Sequence, residues 1–122
     1  MVTQLSDTHS IANRFLAELR DVEVQKDPMR FRRNLERMGE VMAYEISKTF
    51  SYAESEVTSP LGVANMSLPD DRPVLATILR AGLPLHQGLL NYFDRADNAF
   101  VSAYRKHRKG EGRFDVEVEY LR

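Results

Sequence analysis

The sequence predicts an α/β fold: a parallel strand pair behind a helical amino-terminal region. Three observations carry that expectation. "VLATIL" (Val74–Leu79) is a continuous apolar run of strand length, the pattern of a strand covered on both faces. A helix-like stretch over residues 84–93 and a second apolar run over residues 99–104 follow it, and the order strand, helix, strand implies a right-handed crossover joining parallel neighbours. The first fifty residues carry two amphipathic helical patterns.

Taken in order, "SDTHSIANRFLAELRD" puts Ile11, Phe15, Leu16 and Leu19 on one helical face, with Ser6, Asp7 or Thr8 available as N-cap. "KDPMRFRRNLERMGEVMAYEISKTF" offers Asp27 as N-cap and Pro28 at the first helical position, where its missing N–H costs nothing. Phe31, Leu35, Met38, Met42 and Ile46 then recur at spacings of three and four, and most of the charges fall on other faces. Gly39 weakens that helix by up to about 1 kcal/mol relative to alanine, which points to a close packing contact there. Residues 52–68 alternate loosely about "SPLG", where proline and glycine suit a turn, and read as a hairpin. "PDDRP" is a loop and "DRAD" a turn. After the glycines of "RKHRKGEGRFDVEVEYLR", Phe114, Val116, Val118 and Tyr120 alternate strictly with Asp115, Glu117 and Glu119, the pattern of a half-exposed strand following a mobile basic bend.

The whole-chain numbers narrow the function classes. At 122 residues this is at most one domain's worth of chain, and a chain of that size buries roughly 65% of its unfolded surface. Lysines and arginines number 17 against 18 aspartates and glutamates, a balance with no general pull toward nucleic acid or membrane. With no cysteine there is neither a disulfide framework nor a thiolate metal site. The first fifteen residues lack the order of a signal peptide, and no apolar run approaches the ~20 residues that span a bilayer, so a cytoplasmic location is expected.

The chemistry-bearing stretch is "ILRAGLP". Ligands of open parallel sheets bind at the carboxyl ends of the strands, where helix N-termini offer free N–H groups and a partial positive charge to anions. Gly82 allows a tight turn and close backbone approach, and Arg80 adds a planar, permanently charged fork matched to phosphate oxygens. On spacing alone the same residues also suit an ordinary strand-to-helix turn with a solvated arginine. The second strand ends in "AYRKHRKG", and the parallel crossover places Arg105 at the same end of the sheet as Arg80, so that the two could hold one polyanion. Lys106, His107, Arg108 and Lys109 extend the charge into the loop, although such a run is equally a solvated turn and has no interleaved aromatics for nucleic acid. His9, His86 and His107 lack metal-ligand spacing, and His86 reads as a satisfied surface or interface side chain. Asp70-Asp71 sits in a proline-flanked loop and reads as solvated. No phosphate-binding GxGxxG or GxxxxGK[ST] motif is present, and no acid–base machinery can be named.

"ATILRAGLPLHQGLL", followed about two dozen residues after Arg80 by "SAYRKH", resembles the uracil phosphoribosyltransferase family, as do "FRRNLERMGEVMAYEISKTF" and "VTSPLG". The resemblance is collinear from about Leu19 to Tyr120. It implies a phosphoribosyltransferase-type parallel sheet with helices on both faces: a helical arm over 1–51, a hairpin and loop over 52–72, a β-α-β core over 73–105 and a flexible β-arm over 106–122. It further implies transfer of ribose 5-phosphate from phosphoribosyl pyrophosphate (PRPP) to uracil, giving UMP and pyrophosphate, with Mg2+ accompanying PRPP. Arg80, Ala81, Gly82 and Arg105 are then PRPP-binding residues, and the loop at Arg80 is one that often carries a non-proline cis peptide. Homodimers are expected, membrane and nucleic-acid partners are not, and GTP binding is compatible with the resemblance. Two features of the family are missing: a Thr-Gly phosphate loop, since the chain has no Thr-Gly dipeptide, and the carboxy-terminal uracil-binding segment. The expectation is therefore the amino-terminal half of such an enzyme, which made alone would associate and form no UMP. A non-catalytic phosphate-binding or dimerisation module on the same half-fold is the alternative.

Overall fold

A computed structural model describes residues 1–107, 110, 112 and 114–121; Arg108 and Lys109 of the basic run lie outside the described residues. Helices α1 (Ala12–Arg20) and α2 (Pro28–Ser47) lead into a ribbon of β1 (Tyr52–Ser59) and β2 (Gly62–Pro69). Strand β3 (Val74–Leu79), helix α3 (Leu83–Tyr92), and strands β4 (Asp97–His107) and β5 (Phe114–Leu121) complete the order. The sheet runs β3-β4-β5, with β3 and β4 parallel and β5 antiparallel to β4, so it is mixed.

Local chemistry sets the helix ends. Asp27 caps α2 as expected, its carboxylate accepting from the N–H groups of Met29 and Arg30 at 3.0 and 3.1 Å. At α1 the cap differs from expectation. Leu5–Asp7 forms a short 3-10 turn of its own, and the side chain that accepts from the α1 start is Ser10, from Ala12 N–H at 3.2 Å. The buried face of α2 is also narrower than its apolar stripe. Asn34, Met38, Gly39 and Ala43 are buried, while Phe31 and Ile46 remain exposed. The reason is that α2 packs on α1 along one side and on α3 along the other. Asn34 belongs in that seam because its amide donates to Glu18 at 2.7 Å and its carbonyl accepts from Arg37 at 3.1 Å. Gly39 and Gly88 let α2 and α3 touch backbone to backbone, for a Cβ on Gly88 would lie 2.0 Å from the Glu36 carbonyl oxygen.

The ribbon turns through Pro60-Leu61, and Gly62 takes a φ of 136° that L side chains rarely adopt. Its register puts Ala53, Ser55 and Val57 opposite Leu68, Met66 and Ala64, a largely apolar face that no other element covers to any extent among the described residues. Asp71, read from sequence as solvated, instead anchors the ribbon base by accepting from Ser51 N–H at 2.7 Å.

β3 is covered on one face only, against the expectation of two. Leu75 is buried, whereas Val74 and Ile78 are 64% and 60% exposed. Among the described residues α3 covers the face of Leu75 and Thr77, and nothing lies on the other. His86 is not at the surface. It is buried under Phe100, ring centroids 5.4 Å apart, with Nε2 2.7 Å from Asn98 Oδ1. Asn98 donates its own amide to Ala96 O, which leaves Oδ1 as the acceptor for an N–H on His86 Nε2.

Candidate functional site

The carboxyl ends of β3 and β4 are level. Leu79 pairs with Ser102, so Arg80 leaves β3 beside Ala103, and Arg105 lies two residues further along β4. The Leu79–Arg80 peptide is cis, in the loop where the family resemblance anticipated one. Leu79, Arg80, Ala81, Ser102, Ala103 and Tyr104 line an open depression of about 690 Å3. Arg80 is exposed, and among the described residues no side chain engages its guanidinium. By contrast Arg30, Arg33 and Arg72 each pair with a carboxylate. An arginine left unpaired at a concave strand tip is available to an incoming anion.

Gly82 shapes this turn, for a reason different from the expected backbone freedom. Its φ of −74° suits any residue. Space is the constraint: an added Cβ would stand 2.2 Å from Thr77 Oγ1 and 2.8 Å from Ile78 O. The turn folds tightly back on its own strand, with Gly82 N–H donating to Ile78 O and Leu83 N–H to Arg80 O, both at 3.1 Å. Helix α3 then begins with Gly82 as N-cap, Pro84 in its first turn and no capping side chain, so its positive end opens at the strand tips.

The expected site residues are not gathered equally. Arg80 and Ala81 line the depression, and Gly82 closes the turn behind them. Arg105 is at the same end of the sheet but outside that lining; strand alternation points it to the face opposite Tyr104. Lys106, expected to extend charge into the loop, is drawn sideways into a 2.7 Å ion pair with Glu117. Glu117 also accepts from the Tyr104 hydroxyl. The Lys106 and then the Tyr104 hydrogen bond hold the Glu117 carboxyl below its ordinary range, while the same contact raises the Tyr104 phenol. Ser102 and Tyr104 were not singled out from sequence. Their signal is the alternation along β4, which places both on the face of β4 that also carries Phe100.

Magnesium finds no obvious protein ligand here. None of the lining residues is a carboxylate, and no cluster of three metal-ligating side chains occurs among the described residues. No described helix is long and apolar enough to cross a membrane.

Comparison with known proteins adds independent findings. The family model described as uracil phosphoribosyltransferase matches residues 6–117. A uracil phosphoribosyltransferase of Porphyromonas gingivalis is 59% identical over 120 residues, covering 98% of this chain and 55% of that protein. One from Methanothermobacter thermautotrophicus is 40% identical over 98 residues, covering 79% of the chain and 44% of the relative. The solved structure of the AQ2163 protein from Aquifex aeolicus superposes with a TM-score of 0.72 at 24% identity, covering 98% of this chain and 54% of that one, a likeness of fold. The chain thus spans about half the length of the curated relatives it matches. Its mixed α/β architecture, its Arg80 turn and the near-complete family match agree, and the chain belongs to the uracil phosphoribosyltransferase family.

Proposed function

We propose that the protein transfers ribose 5-phosphate from PRPP to uracil, forming UMP and pyrophosphate, and that this chain supplies the half of the site that grips pyrophosphate. The observation that carries the reading is Arg80: exposed, without a side-chain partner, and set in the wall of a depression at the carboxyl end of β3. A uracil nitrogen attacks the anomeric carbon of the ribose and gives up its proton to solvent or to the departing pyrophosphate, the C–O bond to pyrophosphate breaks, and negative charge grows on the departing oxygens. Arg80 and the open N-terminus of α3 are the groups proposed to take up that charge, with Arg105, at the same end of the sheet but outside the lining of the depression, joining them from the neighbouring strand. Ala81 and Gly82 act through backbone, by bringing the turn close to the ligand. Magnesium, as the usual companion of a pyrophosphate, would come with PRPP; the residues lining the depression offer it no carboxylate, and no step here depends on it.

Self-association fits the uncovered apolar face of the β1–β2 ribbon and the open face of β3, and we include a homodimer in the reading. A cytoplasmic setting accords with a salvage enzyme acting on soluble substrates. The test is direct: the full-length protein, incubated with PRPP, uracil and magnesium, forms UMP and pyrophosphate in equal amounts. PRPP binding with no UMP would instead favour the non-catalytic module. Failure to bind PRPP would refute both.

A further inference from the structure

The depression has one wall whose position is set from outside it. Tyr104 lines it from β4, and directly across the strand pair stands Glu117 of β5. Opposed residues of an antiparallel pair share a face, and Lys106, two residues beyond Tyr104, falls on that face too. Glu117 uses both carboxylate oxygens: Oε2 accepts from the Tyr104 hydroxyl and Oε1 from Lys106 Nζ at 2.7 Å. One side chain therefore ties two successive same-face residues of β4 to β5, and one of the two belongs to the depression.

We propose that Glu117 is a positioning residue for the PRPP site: by holding the Tyr104 phenol and Lys106 together, it fixes the β4 wall opposite the Arg80 turn. The proposal rests on the PRPP reading above. Glu117 is not among the residues lining the depression, so its influence passes through Tyr104. The chemistry of the cluster supports a directed contact over a passing surface pair. A carboxylate accepting from an ammonium and a phenol makes two charge-assisted hydrogen bonds, and the two donors lie on one strand at a fixed spacing. Holding Lys106 in this pair also keeps its ammonium off the site, leaving Arg80 the unpaired cation of the wall.

Steady-state kinetics of the full-length enzyme, with PRPP varied at saturating uracil, tests this. Glu117→Ala is expected to raise KM for PRPP about 3- to 10-fold, the scale of a partly exposed charge-assisted contact, with kcat within about twofold of wild type. Tyr104→Phe should give a matching rise. Glu117→Ala added to Tyr104→Phe should add little further, because one pathway is already cut. Glu117→Gln, which keeps an acceptor for the phenol, should recover part of the loss. An unchanged KM in Glu117→Ala, or full additivity of the two substitutions, overturns the positioning role. A wild-type enzyme that does not use PRPP overturns the underlying reading, and that outcome is visible before any variant is made.

Discussion

Gly82→Ala isolates the tight turn behind Arg80. Alanine is conformationally acceptable at a φ of −74°, so any effect comes from contact. The new Cβ would meet Thr77 Oγ1 at 2.2 Å and Ile78 O at 2.8 Å, where ordinary contact begins near 3.4 Å. If Thr77 stays put, the turn must move by about 1.2 Å; if its hydroxyl rotates away, the backbone oxygen still demands about 0.6 Å. Overpacking of this kind costs about 1–3 kcal/mol, which the fold should survive. Function is more sensitive, because a misplacement near 1 Å can cost about 100-fold in rate. The expectation is a 10- to 100-fold fall in kcat/KM for PRPP, roughly 1.4–2.7 kcal/mol. Steady-state rates with a parallel thermal melt provide the assay. Thr77→Ala in the same chain removes the closer of the two obstructions and should return part of the activity. A Gly82→Ala enzyme with wild-type kcat/KM would refute the claim that close packing on β3 sets the Arg80 turn.

Three further outcomes follow from other contacts. Gly88→Ala should destabilise by about 2 kcal/mol or more despite alanine's higher helix propensity, because its Cβ meets backbone of α2 at 2.0 Å, and circular dichroism melts should show a drop of several degrees. Arg105→Lys should weaken PRPP binding several-fold in calorimetric titrations at constant charge, since an ammonium cannot reproduce the planar fork. Glu36 accepts from Asn91 and Arg33, and those bonds hold its carboxyl below the ordinary 4.5. A lowered folded value means its contribution is present above 4.5 and is lost as pH falls below it, so Glu36→Gln should flatten the acid limb of a stability-against-pH curve.

Much of the fold was legible because its signals are local. "VLATIL" marks β3 to the residue, Asp27-Pro28 marks the start of α2, and Gly39 announces the close crossing with α3. What local pattern does not carry is register and partnership. Whether β3 is covered on one face or two depends on which elements are present to cover it, so its apolar run could not distinguish the cases. Asn34 breaks an apolar stripe on paper, yet it is buried because Glu18, sixteen residues away, accepts a hydrogen bond from its amide. The site divides the same way. Arg80 and its turn are written in a contiguous motif, whereas Tyr104, Lys106 and Glu117 become one cluster only through the antiparallel pairing of β4 with β5. His86 likewise needed Asn98 and Phe100, from another element, to be recognised as a core residue.

Arg80→Ala in the full-length protein bears most directly on the central claim that this arginine is held out for pyrophosphate. The side chain is exposed and packs on nothing that its loss would unfold, so the variant should melt as wild type does. Losing a charge-assisted contact that strengthens on the leaving group should cost about 2–4 kcal/mol, read as a fall of roughly 30- to 1000-fold in kcat/KM for PRPP. A folded Arg80→Ala enzyme that forms UMP at the wild-type rate would show Arg80 to be a solvated turn residue and contradict the account.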